Sequence, residues 1–335
     1  MKKITIKDIS KASGYSNSTV SEALNNNKEI SKKAREKIKN IAKKLNYKPN
    51  YFASRLRSNV VKNIGIIIPD ILNYYFAKVI RGVQIELYKS GYNLVCFFSE
   101  ETPRVAKKII KKLEDGSLAG LLVSLAKDRF NENTIKDLKQ LQSFNIPIVM
   151  FDRISHEFNC DKIYMDNFKA TFDCISHLVK RGKNKIAFIT PIHDTVIGKE
   201  RLDGYKEGLK SNNIVYSSEL YIPLSEGDNI ESVIIKLTLD NKIDAIISIE
   251  PQTTVAVHSI ILNLGYKIPD DIALLGFTDG PMYKFIKPSI TCVNQHGEYV
   301  GKHSAKILIE RLKNNLGDKF IDEKVPTSLI LRDST

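Results

Sequence analysis

The feature that most constrains the fold is an alternation that begins at Asn63 and runs to the C-terminus of the 335-residue chain. Short apolar runs recur as IGIII (64–68), NLVCFF (93–98), AGLLVSL (119–125) and IPIVMF (146–151). A second series follows as KIAFIT (185–190), LYIPL (220–224), DAIISI (244–249) and IALLGF (272–277), and KVPTSLILR (324–332) reads as a last strand. Segments of helical spacing lie between them, with Gly91 closing the first and Thr102-Pro103 opening the second. Strands that are apolar throughout, separated by helices, belong to parallel sheets covered on both faces. The series divides near Asp161, which predicts two doubly wound α/β lobes.

The first sixty-two residues are different. They carry 16 lysines and arginines against four acids, a net +12 of the chain's +13, so the remainder is nearly neutral. Charge confined to one end of a chain is the electrostatic footprint of a nucleic-acid binder. Thr5 with Asp8 has capping-box spacing, and Ile6, Ile9 and Ala12 recur helically up to Gly14, predicting a helix over 6–13. Ser16 can cap a second helix with Val20, Ala23 and Leu24 on one face, stopped by Asn25-Asn26-Asn27. Ser31 caps a third, whose stripe is Ala34, Ile38, Ile41, Ala42 and Leu45. The first two helices, joined by Gly14-Tyr15-Ser16, make a helix-turn-helix unit. In such a unit the second helix enters the major groove, N-terminal residues first. Here those are Asn17, Ser18 and, a turn later, Glu22. Asn can bond adenine with two hydrogen bonds and Glu can accept from cytosine N4. Thr5, Ser16, Thr19, Ser21 and Asn25 are short polar groups suited to phosphates, and each also fits a helix cap or a solvated position.

The run ITIKDISKASGYSNSTVSEALNNNKEISKKAREKIKNIAKKLNYKPN resembles the head of the lac repressor (LacI/GalR) family of bacterial transcription regulators. TIKDI, STVS, ALN, Ser31, Arg35 and NYKPN with Tyr47 fall at family spacing. The resemblance continues in IGIIIPDILNYYFA, RLDGYKEGL, IPDDIALLGFTD and PSITCVNQ, and so covers essentially the whole chain. It implies a DNA-binding head (1–49), a hinge helix and linker (50–62), and a periplasmic-binding-protein-like effector domain. The implied lobes are 63–161 with about 292–322, and 162–291 with about 323–335. Pro49 blocks the third helix and Asn50 can cap a short segment to Arg57, too short to be stable alone. The resemblance implies that this segment orders on DNA, with Ala53, Leu56 and Arg57 at the minor groove and Leu56 as the wedge that opens a base step. It also implies a homodimer on a palindromic operator, and no leucine-heptad tail argues for a tetramer.

In doubly wound sheets ligands bind beyond the carboxyl ends of the strands. That rule selects the run Pro69-Asp70-Ile71-Leu72-Asn73-Tyr74-Tyr75-Phe76 after the first strand, Asn73 and Phe76 foremost, Asp152 and Arg153 after the fourth, Arg201 in RLDGY, Glu250 after DAIISI, and Thr278 with Asp279 after IALLGF. Hydrogen-bonding side chains beside an aromatic face suit a sugar or sugar derivative, although each residue alone also fits a cap or a strand-end turn. Three positions depart from the family. Ile249-Glu250-Pro251 stands where Ala-Asn-Asp is common, Thr278-Asp279 where two acids are common, and Glu22 where Arg is usual. The first two bear on the identity of the effector and the third on the operator sequence.

No GxGxxG, P-loop, GxSxG or HExxH motif is present, and His296-Gly297-Glu298 lacks the PCxxC partner of a zinc deaminase. The six histidines and four cysteines show no metal spacing, so neither enzyme chemistry, metal nor cofactor is expected. The start MKKITIKDIS has no apolar signal region and no apolar run approaches a membrane span, which predicts a cytoplasmic protein away from the membrane. A solute-binding protein without DNA function is the alternative reading, and a sugar-processing enzyme a third. Neither explains the basic head. A phosphoprotein co-regulator in place of, or beside, the small effector remains open at this level.

Overall fold

The computed structural model describes residues 5–24, 27, 29–45, 61–126, 132–225, 227–277 and 279–335. The chain divides into two compact units, residues 1–60 and 61–335.

The first unit holds three helices: α1 (Ile6–Ser13), α2 (Asn17–Leu24) and α3 (Lys32–Lys44). Local chemistry starts each of them. The Asp8 carboxylate accepts from the Thr5 N–H at 2.8 Å and from the Thr5 hydroxyl at 2.7 Å. Ser16 Oγ accepts from the Thr19 N–H at 3.2 Å and Ser31 Oγ from the Ala34 N–H at 3.3 Å, which satisfies donors orphaned at the first turns. Gly14, at φ 75°, returns its N–H to Ser10 O and closes α1. Ile9, Val20, Ala23, Ile38 and Ala42 meet in one small core, with Tyr15 and Ile41 against its edge. Ala12, expected on the inner face, is exposed, and Ser13 is buried instead. The face through Ile6 and Ile9 reaches residue 13 after seven positions, two helical turns, and Ala12 falls beside it. The expected hinge positions Asn50, Ala53, Leu56 and Arg57 lie outside the described residues, as do Asn25 and Tyr47.

The second unit holds two six-stranded sheets. In chain order its elements are β1 (Asn63–Ile68), α4 (Tyr74–Lys89), β2 (Asn93–Phe98), α5 (Pro103–Lys112), β3 (Gly120–Val123), α6 (Glu132–Ser143), β4 (Ile148–Phe151) and β5 (Asp161–Met165). Then come α7 (Asn167–Lys180), β6 (Ile186–Thr190), α8 (Val196–Ser211), β7 (Tyr221–Pro223), α9 (Ile230–Asn241), β8 (Ala245–Ser248), α10 (Pro251–Asn263) and β9 (Ala273–Phe277). The chain ends with α11 (Met282–Phe285), β10 (Thr291–Asn294), α12 (Gly297–Leu312), β11 (Asp322–Val325) and β12 (Ser328–Ile330). The first sheet runs β11-β5-β4-β3-β1-β2 with every pairing parallel. The second runs β12-β10-β9-β8-β6-β7, parallel except for the edge strand β12. Each sheet carries a separate apolar core on each face, as parallel sheets require. Helix α12 lies so close to α4 that a Cβ at Gly301 would stand 2.1 Å from Val79 O, and one at Gly82 2.1 Å from Glu298 O.

The lobe boundaries differ from those expected. Asp161–Met165 forms β5 of the first sheet, so residues 162–165 do not open the second lobe. The strand was hidden because it begins with two charged residues. Both are buried, Asp161 held by Arg311 at 2.8 and 2.9 Å. Thr291–Asn294, assigned beyond residue 292 to the first lobe, is β10 of the second sheet. The single strand expected over 324–332 is two, broken at Pro326-Thr327, with β11 in the first sheet and β12 in the second. The chain therefore passes between lobes three times, after β5, after β10 and after β11.

Ile38 is fully buried in a core of five residues. Ile38→Ala should cost about 3 kcal/mol, close to the whole stability of so small a unit. Amide hydrogen exchange in α1–α3 is expected to accelerate about a hundredfold while β1–β12 keep their protection. Unchanged protection of α1–α3 would contradict this core.

Candidate functional sites: a basic three-helix head and an interlobe cavity

In the first unit the N-terminal turn of α2 presents Asn17 and Ser18 to solvent, with Glu22 exposed one turn on. Ser16 Oγ lies 2.8 Å from Ser18 Oγ and 2.9 Å from Thr19 Oγ1, so these hydroxyls form one cluster at the helix start. Thr19 and Ser21 are half-buried on the flank of the helix. Thr5 and Ser31 sit at the starts of α1 and α3, where the Thr5 hydroxyl donates to the Asp8 carboxylate and the Ser31 hydroxyl caps the Ala34 N–H. Lys32, Lys33, Lys39, Lys43 and Lys44 stand exposed along α3, and Lys37 lies 5.4 Å over the Tyr15 ring. The arrangement offers polar tips at a positive helix N-terminus and a surrounding field of cations.

In the second unit a cavity of about 300 Å³ lies at the carboxyl ends of the strands, lined from both lobes. The first lobe contributes Asp70, Asn73, Tyr75 and Phe76 after β1, Glu101 after β2, and Asp152 with Arg153 after β4. The second contributes Pro191 and Ile192 after β6, Ile197 and Arg201 from α8, and Ile249 to Thr253 around the start of α10. Gln295 lines it from the crossover after β10. A smaller recess of about 30 Å³ shares Asp152, Arg153 and Ile197 and adds Tyr164, Asn167, Thr195 and Glu200.

Arg201 is the organising group. It is 4% exposed, its Nε donates to Asn167 Oδ1 at 3.0 Å and one terminal nitrogen to Ile249 O at 3.3 Å. Its guanidinium lies 4.3 Å over the Phe277 ring. Burial pushes its pKa down to about 10, opposed by the Asp152 carboxylate, so it stays charged at neutral pH. Asp152 is buried at φ 59° and belongs to the other lobe. Desolvation raises its pKa, and Arg153 and Arg201 oppose the rise. Arg153 is engaged by Glu101, whose two oxygens lie 2.6 and 2.9 Å from one guanidinium nitrogen. Tyr75 is 4% exposed, and burial together with the Asp152 carboxylate holds its phenol well above the ordinary range. Its hydroxyl faces that carboxylate, and no protein atom meets it at ordinary hydrogen-bond distance and angle. A buried hydroxyl without a partner is costly, and a ligand atom would relieve it.

Asn73, Phe76, Asp152, Arg201 and Glu250, selected from the sequence, all line this cavity. Asn73 and Glu250 also cap helices, accepting from the N–H groups of Tyr75 at 3.0 Å and Thr253 at 2.7 Å. Asp279 does not line the cavity. Arg332 holds it at 2.5 Å, and Lys78, on α4 of the other lobe, donates to its backbone oxygen at 3.2 Å. Thr278 lies outside the described residues. Tyr75 lies in the run that the strand-end rule selects but was not singled out as a ligand residue, and sequence reasoning missed Glu101 and Gln295. The strand-end rule reaches Glu101 when it is applied to NLVCFF, and Gln295 follows a strand that was not read. No helix of the described residues is long and apolar enough to cross a membrane, and no cluster of theirs has metal-holding geometry.

Comparison with known proteins agrees with this geometry. Residues 5–50 match the family described as bacterial regulatory proteins, lacI family, and residues 175–335 match the periplasmic binding protein-like domain. The chain is 26% identical to the HTH-type transcriptional repressor PurR of Vibrio vulnificus (strain CMCP6), covering 98% of each chain. It is 28% identical to the NTD biosynthesis operon regulator NtdR of Bacillus subtilis (strain 168), covering 99% of each. Among solved structures, the lac repressor dimer bound to operator and the anti-inducer ONPF shares the fold at a TM-score of 0.83, with 21% identity and 99% of each chain covered. The regulator CelR in complex with cellobiose aligns at 0.73, with 21% identity, covering 99% of this chain and 100% of that one.

The Arg201–Asp152 relation carries a pH signature. A buried carboxyl whose folded pKa is raised binds protons more readily folded than unfolded, so stability falls as pH rises through that interval. Arg201→Met removes the opposing cation and raises Asp152 further. The variant should lose about 3 kcal/mol at pH 8 and distinctly less at pH 5, read by urea unfolding of the second unit. Equal losses at both pH values would show that Arg201 does not neutralise Asp152.

Proposed function

The chain belongs to the lac repressor family of bacterial transcription regulators, and from that premise we propose a cytoplasmic repressor whose grip on a palindromic operator is modulated by a small molecule in the interlobe cavity. It is a DNA-binding regulator. The effector, the dimer and the individual contacts are our reading. The observation that carries it is the pairing of two features: an exposed polar turn at the start of α2 within a segment, residues 1–62, of net charge +12, and a polar cavity lined by both lobes.

In this reading two heads of a homodimer address half-sites about one helical turn, roughly 10 base pairs, apart. Asn17, Ser18 and Glu22 meet base edges. Glu22 accepts from a base or turns away, since phosphates repel it. Thr5, Ser16, Thr19, Ser21, Asn25, Ser31, Tyr47 and Asn50 position the head on the backbone, and Ala53, Leu56 and Arg57 enter the minor groove. Asn73, Phe76, Asp152, Arg201 and Glu250, joined by Tyr75, hold a sugar or sugar derivative. Thr278 and Asp279 were selected by the same rule, and for Asp279 a role in joining the lobes suits its partners better. Effector and operator then change each other's affinity by the same factor.

Selection of bound fragments from random duplex, followed by titration, tests this. Specific affinity should fall about a thousandfold between 50 and 200 mM salt, because phosphate contacts release counterions. A flat dependence would remove the basic head as the docking surface. Leu56→Ala should weaken specific binding at least tenfold with little effect on non-specific binding, and equal operator affinity of the two proteins would refute the wedge.

A further inference from the structure

The cavity is unbalanced in charge. Four carboxyl groups line it (Asp70, Glu101, Asp152 and Glu250) against two guanidinium groups (Arg153 and Arg201), and no lysine. Both cations are engaged. Arg153 is held by Glu101 at 2.6 Å, and Arg201 is buried against Asn167, the Ile249 carbonyl and Phe277 with Asp152 as its counter-charge. That leaves Asp70 on the first lobe and Glu250 on the second without a cation. Among the described residues their polar partners are the Leu72 N–H for Asp70, and the Thr253 N–H and hydroxyl for Glu250.

Helix N-termini could favour an anion in spite of this. Three point into the site, those of α4, α8 and α10. Each already carries its own side-chain cap, from Asn73, Thr195 and Glu250 respectively. Among the described residues, a phosphate or carboxylate entering the cavity therefore finds no guanidinium without a counter-carboxylate and no uncapped helix among those three, and it meets two further carboxylates. At low effective dielectric, that repulsion is large. The unpartnered Tyr75 hydroxyl, 4% exposed on the cavity wall, marks the space as one a polar ligand fills.

We propose that the effector is a cationic polyol, a sugar bearing a primary ammonium, whose positive charge is read by Glu250 and Asp70 from opposite lobes. This rests on the reading of the cavity as the effector site and narrows it to one chemical class. The ammonium supplies donors to carboxylates that lack a cation, and the hydroxyls supply partners for Tyr75 and Arg201. Because the two carboxylates belong to different lobes, one bound cation favours their approach.

The test uses the full-length protein and a panel of D-glucosamine, D-galactosamine and D-mannosamine, their neutral parent hexoses, and the hexose 6-phosphates. Affinity is taken from thermal shift and confirmed by calorimetry at pH 7. At least one amino sugar is expected to bind about tenfold or more tightly than its neutral parent, with the phosphates weakest. Glu250→Gln keeps a carbonyl oxygen for the Thr253 N–H and should shrink the ratio of amine to neutral-parent affinity to about twofold. Neutral or phosphorylated sugars binding as well as the amines would overturn the charge assignment and leave the effector site standing. An undiminished amine preference in Glu250→Gln would overturn the role of Glu250. A melting temperature unmoved by every member of the panel would overturn both the assignment and the sugar-effector reading.

Discussion

The second unit depends on one unfavourable act, the burial of the Arg201 guanidinium. Removing such a cation from water costs several kcal/mol, and the structure offsets that cost with a carbonyl, an amide oxygen, an aromatic face and one carboxylate. The carboxylate, Asp152, comes from the other lobe and is itself buried. Each charge lowers the cost of burying the other, with Arg153 the larger support for Asp152, so the attraction acts between the inner ends of the two sheets where the cavity lies. The strand ends converge there because both sheets are parallel and present their carboxyl edges to the same cleft.

What could be read from the sequence follows from how residues interact along the chain. The eight continuous apolar runs before residue 278 all became strands, since a strand buried on both faces needs no distant partner to identify it. The head was equally legible: capping residues, apolar spacing and a glycine terminator act within one or two turns. The strands β5 and β10 were not legible. Asp161 and Lys162 are strand residues only because Arg311, 150 positions away, arrives to neutralise Asp161. Thr291 belongs in a strand because it bonds the C-terminal Ser334 and Thr335. Misplacing those two strands is what misplaced the lobe boundaries.

The cavity shows the same division. Residues that follow a recognised strand directly, such as Asp152 and Glu250, could be picked by rule. Tyr75 fell in the run picked after the first strand but did not stand out from it, because it sits inside the first turn of α4 among neighbours that read as ordinary amphipathic positions, and only the approach of Asp152 gives it polar significance. Asp279 went the other way. It follows an apolar strand and looks like a site residue, yet Arg332, near the far end of the chain, takes its carboxylate.

Asp279 therefore belongs to a second tie between the lobes, outside the cavity, where Lys78 of the first lobe reaches its backbone oxygen and approaches its carboxylate at 3.9 Å. A ligand can bias an equilibrium only through interactions that differ between its states. Groups already satisfied, such as Arg332 with Asp279 and Arg153 with Glu101, offer a ligand little to change. The groups that can respond are those left incomplete: the Tyr75 hydroxyl, and the carboxylates of Asp70 and Glu250 on facing lobes. On the proposed reading, the capacity of this unit to sense a molecule is concentrated in three side chains, while the part-buried ion pairs around them set the geometry in which those three are presented.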